Sequence, residues 1–522
     1  MQVFEGTIIV GDAAATRARF LVEDKGRVAF VGNELPAAYR AAPRTGLSGG
    51  ALLPALWDTH VHFMSHALFA SGLDVRAAVD LADLRERVRA YCARPAAGTV
   101  IGFGASAWSL AERRMPDKAD LDAAAGAKPV FLVKYDGHAA VANSALLARL
   151  PRAVAGKRGY DEASGYLEAD AFFAATDFVT GSVPLPAVLA GMLRAADAAA
   201  ARGVGGLHSV SGVGFPLDLD VTVESLFGRG RRGGQQYRIY FQTWDVKKAL
   251  RRGFPRIGGC FACALDGSFG SADAALNQPY ADAPDQRGIL YRSDAEVAAY
   301  CREANRAGLQ IQLHAIGDAA FDQATSALDA ALRDFPRAGH RHTVIHACLP
   351  TDRGLDICAE RGIVLAMQPA FLDWPQEPVE YLERKLGDRV RRLNPLASLL
   401  RRGIVVTGGS DAPCTPLDPW LGMAAAIGHP DPAERLGFDQ ALALYARSAA
   451  YGSFDEADRG SLEAGKVADF IRLDADPSGF PPRELAAVRP AGLYLAGRRF
   501  EAGQNRADLL ARGLFAGRRV KI

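Results

Sequence analysis

Ten histidines occur in the 522 residues, and five fall at or just after apolar, strand-like runs: His60, His62, His208, His314 and His346. Imidazole binds divalent metals and exchanges protons near neutral pH. His60 and His62 stand two apart at the end of Ala51-Leu-Leu-Pro-Ala-Leu-Trp57. On a strand, side chains at i and i+2 leave the same face, so one cation can take both rings. Asp58 is close enough to orient a ring. His314 ends Gln310-Ile-Gln-Leu313, His346 ends Thr343-Val-Ile345, and Asp411 follows Ile404-Val-Val-Thr-Gly-Gly-Ser410. Each taken alone reads as a core histidine or a strand-end cap. Together they describe a metal site assembled from the ends of several strands.

Such a site needs a scaffold that brings distant strand ends together. Apolar runs at 205–210, 237–241, 309–313, 342–345, 363–367 and 404–407 alternate with Ala-rich amphipathic stretches such as 319–335. Repeated βα units argue for a parallel sheet, and this many favour an α/β fold of the (β/α)8 TIM-like barrel type. Active groups in a barrel gather at the C-terminal ends of the strands, where these residues fall. Short β-type runs at both ends of the chain predict a small β-sandwich domain built from residues 1–55 plus 465–522. The barrel then spans 56–464, with an inserted α/β lobe around 70–200.

The bulk properties exclude several functions. A net charge of +2 gives no general reason for nucleic acid or an acidic membrane as partner, and the basic run Arg229, Arg231, Arg232 reads as solvated loop. No run approaches the ~20 apolar residues a membrane span needs. The N-terminus lacks a secretory pattern, so a cytoplasmic location is expected. Seven scattered cysteines make a poor disulfide framework. Cys260 and Cys263 form a lone CxxC and read as packing thiols. Gly228-Arg-Gly230-Arg-Arg-Gly233 matches GxGxxG, but a helix-like stretch precedes it and a strand-like run follows, the reverse of a dinucleotide site.

The order of these residues resembles the amidohydrolase superfamily, and within it the YtcJ-like branch. The resembling segments are Leu53-Pro-Ala-Leu-Trp-Asp-Thr-His-Val-His62, Asp136-Gly-His-Ala-Ala-Val-Ala-Asn-Ser144 and Leu265-Asp-Gly-Ser-Phe-Gly-Ser271. Further ones are His314-Ala-Ile-Gly-Asp318, Gly409-Ser-Asp-Ala-Pro413 and Gly460-Ser-Leu-Glu-Ala-Gly-Lys-Val-Ala-Asp469, so the likeness spans nearly the whole chain. The resemblance implies His60, His62, His314 and His346 as metal ligands, with Asp411 as both ligand and general base. It implies one or two divalent ions, with zinc the expected metal, and His138, Asp266 and Gln368 as residues facing the substrate. His208 and Trp374 are weaker candidates near the site.

Many relatives carry a lysine about four residues before the Asp-Gly-Ser triplet, where its carboxylated form bridges two metals. Ala262 occupies that approximate place here. Three alternatives stand: a single metal, a carboxylated Lys134 reaching in from another strand, or substitution by Glu168 or Cys263. The expected reaction is hydrolysis of a C–N bond in an amide, formamide or cyclic amide of a small molecule. An ester, lactone or phosphoester hydrolase with the same site, or a non-catalytic metal-binding protein, are the alternatives. A homo-oligomer is compatible with the sequence.

Overall fold

The computed structural model describes residues 1–69, 72–94 and 98–516. The last residues of the expected C-terminal segment, 517–522, and parts of the expected lobe, 70–71 and 95–97, lie outside the described residues.

Eight parallel strands form the central sheet: β1 (Leu56–Val61), β2 (Val204–Ser211), β3 (Gln236–Phe241), β4 (Arg256–Ala264), β5 (Gln310–Ala315), β6 (Thr343–His346), β7 (Val364–Met367) and β8 (Val406–Gly408). Neighbours in sequence are neighbours in space, and all seven ladders are parallel. Beyond β8, the Asp411 N–H donates to the His60 carbonyl at 2.8 Å and the His62 N–H to Ala412 at 3.0 Å. These two bonds tie the last strand end to the first and nearly close the barrel.

The pattern on β5 shows why these runs become barrel strands. Ile311, Leu313 and Ala315 pack into the main apolar core with Val297 and Ala304 of helix Asp294–Arg306 and Phe321 and Leu328 of helix Asp318–Asp334. Burial of an Ile or Leu side chain contributes roughly 1.5–3 kcal/mol. Gln310, Gln312 and His314 alternate to the other face. The helix that precedes β5 starts at Ser293, whose hydroxyl accepts from Glu296 N–H while the Glu296 carboxylate accepts from Ser293 N–H.

Strand β4 was not among the strand-like runs read from the sequence. Its local sequence is Gly258-Gly259, with φ of +100° and +135° and a register shift before Ala264. A Cβ on Gly258 would lie 1.9 Å from the Gln312 carbonyl oxygen, so only glycine allows β4 to approach β5 this closely. The bulged strand lacks the regular alternation that marks its neighbours.

Both termini contribute to one seven-stranded sheet, comprising Gln2–Ile9, Arg17–Asp24, Arg27–Gly32, Arg44–Pro54, Phe470–Leu473, Gly492–Leu495 and Arg498–Arg499. Arg44–Pro54 runs almost directly into β1, so this sheet anchors the start of the barrel. Between β1 and β2 lies a separate five-stranded mixed sheet of Leu73–Asp74, Val100–Ala105, Val130–Lys134, Ala139–Ala142 and Tyr166–Glu168. The GxGxxG segment ends helix Leu219–Gly230 and leads into β3. A Cβ on Gly230 would lie 2.2 Å from the Leu509 carbonyl oxygen, so that glycine serves packing against helix Arg506–Phe515. Arg231 is not solvated loop: it is buried and ion-paired with Asp197. Among the described residues, no single helix is long and apolar enough to cross a membrane.

Candidate functional site

The C-terminal ends of β1, β4, β5, β6 and β8 converge on one point. His60 and His62 come from β1 and the residue after it, Cys260 from β4, His314 from β5, His346 from β6, and Asp411 from the loop after β8. All six are buried. Asp411 Oδ1 lies 3.1 Å from His60 Nε2 and 3.2 Å from His62 Nε2. Cys260 Sγ lies 3.2 Å from His60 Nε2 and 3.5 Å from His346 Nε2. The ligand-type atoms fall into two groups that share Cys260: His60, His62, Cys260 and Asp411, and Cys260, His314 and His346. Within each group those atoms lie within 4.8 Å of one another.

Local backbone geometry aims these side chains. His346 and Asp411 adopt φ of +68° and +56°, left-handed conformations unusual for residues with a Cβ. Each turns its chain sharply at a strand end. Asp58 sits behind the first strand and acts on the backbone, not on a ring. Its Oδ1 accepts from the N–H of His60 at 3.2 Å and of Ser410 at 3.0 Å, stitching β1 to the β8 loop.

The donor set suits a divalent cation. Burial holds the His60, His314 and His346 imidazoles neutral by lowering their pKa, that of His314 to about 3. Neutral imidazole, carboxylate and sulfur are the forms that ligate. His60 Nδ1 is buried without a hydrogen-bond partner among the described residues, and buried Asp411 Oδ1 meets the ring nitrogens of His60 and His62. Unpartnered buried polar atoms and buried charges are costly, and a cation in the cluster offsets that cost for the carboxylate.

Residues around the cluster position it. The ring of His346 has Nδ1 at 2.6 Å from Gln368 Oε1, a contact that fixes its tautomer. Asp266 is fully buried; it accepts from the N–H of Ala275, Ile316 and Gly317 and lies 3.4 Å from His314 Nδ1. Gln368 and Asp266 were expected to face substrate. Here both have their oxygens turned to the protein, and they support the imidazoles from behind. His208 is buried edge-on against Trp57, with ring centroids 5.6 Å apart.

A pocket of about 570 Å³ opens over the cluster. His138 and Trp374 line it, as the sequence led one to expect, together with Asp136, Phe261 and Glu377. Trp374 stacks on Phe371, 4.8 Å between centroids and 12° between planes.

The candidate bridges fall elsewhere. Lys134 Nζ donates to Asp136 Oδ2 at 2.8 Å and Ser271 Oγ at 2.7 Å. Burial alone would lower its pKa, but the Asp136 carboxylate beside it raises it instead. Its Nζ is thus engaged by Asp136 and Ser271 rather than by any of the six clustered residues. Cys263 contacts Tyr300 away from the cluster, and Glu168 is exposed at the end of the lobe sheet. Cys260 is the residue common to both groups of ligand-type atoms. Sequence reasoning passed over it because β4 itself was missed; without that strand, the CxxC spacing had no face to point to. Glu377 was also missed, since it lies in a loop after β7 with no periodic signal.

Residues 46–500 match the model of the amidohydrolase family. The chain belongs to that family. This amidohydrolase is 27% identical to the protein YtcJ of Bacillus subtilis (strain 168), over 84% of the chain and 87% of YtcJ. It is 26% identical to N-substituted formamide deformylase of Arthrobacter pascens, over 95% of the chain and 97% of that enzyme. Among solved structures, an uncharacterised metal-dependent hydrolase of Pyrococcus furiosus superposes with a TM-score of 0.72 at 26% identity, covering 91% of this chain and 99% of that one. The protein is a metal-dependent hydrolase of the amidohydrolase superfamily with a nearly closed parallel barrel.

Proposed function

We propose that this amidohydrolase hydrolyses a C–N bond in an amide, formamide or cyclic amide of a small molecule. The observation that carries the reading is the placement of Asp411, whose Oδ1 lies between two imidazoles at a pocket floor. The family-wide likeness to N-substituted formamide deformylase supports the choice of bond. His60, His62 and Asp411 would hold one cation and His314 and His346 a second, with the Cys260 sulfur common to both. A thiolate in the set favours zinc over magnesium or calcium. A divalent cation held there would lower the pKa of water and polarise the scissile carbonyl.

The chain's own groups do the rest. Asp411 accepts the proton of the attacking water and returns it to the leaving nitrogen. His138 faces the substrate from the pocket wall, its loop pinned by a 3.2 Å bond from its N–H to Asp136 Oδ1. Phe261 and Trp374 line the pocket and give its wall an apolar character.

The test pairs metal analysis with hydrolysis of a panel of N-acyl and cyclic amides, with ester and lactone counterparts alongside. Asp411→Asn is expected to lower kcat by about 10²–10⁴-fold, the usual contribution of a general base. If chelation and Asp411→Asn both leave amide hydrolysis untouched, the reading is lost. Turnover of esters alone would move the assignment to that class.

A further inference from the structure

A second pocket, of about 670 Å³, adjoins the one over the metal cluster. The two share His62, Phe261 and Cys414. Phe261 is the wall between them: its ring lies 4.7 Å from that of His62 and 6.0 Å from that of Phe173. Its φ of +31° is a strained backbone conformation that turns the ring to this place. Phe69, Phe103, Phe172 and Phe173 make the side pocket aromatic, with Phe69 and Phe103 centroids 4.9 Å apart. An aromatic lining of this kind suits an apolar group.

Two acceptors break that apolar lining. Asp220, 2% exposed, accepts at one carboxylate oxygen from the N–H groups of Gly212 and Val213, and the Val221 N–H also bonds the carboxylate. Its other oxygen, Oδ1, is buried without a partner among the described residues, as is Oε1 of Gln242, 4% exposed, in the same lining. A buried carboxylate oxygen and a buried amide oxygen in one lining both lack a donor, and a positively charged donor satisfies them best. Neither residue belongs to the metal cluster.

We propose that this side pocket is the specificity subsite of the hydrolase, taking an arylalkyl arm of the substrate that ends in an ammonium group received by Asp220 and Gln242. The arm lies beside Phe261 while the scissile bond sits over the cluster. The proposal rests on the hydrolase reading of that cluster, so its test includes a measurement that needs no turnover.

Calorimetry on the metal-loaded full chain compares 3-phenylpropylamine with the uncharged 3-phenylpropan-1-ol. The amine is expected to bind about tenfold or more tightly than the alcohol, as a charge-assisted hydrogen bond to a buried carboxylate gives. Asp220→Asn, which keeps an acceptor for Gly212 and Val213, should remove that preference. Phe173→Ala should weaken both probes alike. Kinetics then compare two amides with the same scissile bond and a phenylethyl arm ending in ammonium or methyl. The ammonium amide is expected to show the higher kcat/KM, by a similar factor, in the wild type only. Equal binding of the two probes to the wild type overturns the proposal, whatever the fate of the variants. So does a preference that survives in folded Asp220→Asn. Amine binding that depends on Asp220 without hydrolysis of either amide would leave the subsite standing and remove the C–N hydrolase reading instead.

Discussion

Two buried polar clusters share the wall of one pocket, and they are satisfied in opposite ways. In the first, His60, His62, His314, His346, Cys260 and Asp411 crowd acceptor-type atoms together, and Asp411 Oδ1 lies between two imidazole nitrogens. In the second, Lys134, Asp136, Ser268 and Ser271 neutralise one another, and the Tyr135 hydroxyl donates to Glu377 at 2.9 Å. The first is short of positive charge and the second is not. A cluster of neutral imidazoles and a carboxylate gains from a cation, whereas an internally paired lysine and aspartate gain nothing from one. The difference teaches that Lys134 is engaged within its own cluster, whereas the sulfur of Cys260 lies among the ligand-type atoms of the first.

Breaking the second cluster should therefore cost stability and leave metal binding alone. Lys134→Met removes the partner of a buried carboxylate, and the expected loss is about 3–5 kcal/mol in unfolding free energy. Asp136 sharpens the point. Burial pushes its carboxyl up, but Lys134 and His138 beside it hold it well below the usual range, so it is charged and would be stranded. Denaturant unfolding measures the loss, and metal analysis on the folded variant should give the wild-type stoichiometry. Loss of one metal equivalent with little change in stability would reverse the comparison and restore Lys134 as a ligand.

The same contrast explains what was legible in the sequence. His60, His62, His314, His346 and Asp411 were readable because each ends a regular apolar run, and alternation on a strand converts spacing into direction. The barrel was readable for the same reason, through six of its eight strands together with the segment that leads into β1. Cys260 was not, because β4 achieves its position through two positive-φ glycines and a bulge, which erase the alternation. The second cluster escaped for another reason. Lys134 and Asp136 lie in the inserted lobe, while Ser268, Ser271 and Glu377 lie in barrel loops, and their pairing depends on how those loops fold against the lobe. Asp266 and Gln368 were read as facing substrate because they adjoin the site in sequence; the three backbone N–H groups that turn Asp266 inward come from segments 9–51 residues away.

Inside the first cluster, the support of His346 can be weakened without touching a ligand. Gln368→Ala removes the 2.6 Å contact to Nδ1 and frees the ring to rotate. Outer partners of this kind typically contribute about 10–100-fold in metal affinity. Competition with a chromophoric chelator should show a loss in that range, with Gln368→Glu restoring much of it by keeping an acceptor. An unchanged affinity in Gln368→Ala would mean that packing alone orients His346, and that the first cluster is no more cation-dependent than the second.

The smallest effect concerns the edge of the second cluster and has a definite sign. Burial raises the Glu377 carboxyl from its ordinary 4.5 to about 7, although the Tyr135 hydrogen bond and Lys134 act to lower it. The folded chain then holds this proton more tightly than the unfolded chain does. Between pH about 4.5 and 7 the folded state binds more protons, so stability falls as pH rises and levels off above 7. Glu377→Gln keeps an oxygen to accept from Tyr135 and cannot ionise. The wild-type advantage over this variant should therefore shrink by on the order of 2 kcal/mol between pH 4.5 and 8. Unfolding of both proteins across that range measures it, and taking the difference cancels the other raised carboxyls, Asp58, Asp177, Asp220, Glu224, Asp266 and Asp418. A flat difference would mean that Glu377 ionises like an exposed carboxylate, and that the second cluster holds an uncompensated negative charge of the kind so far confined to the first.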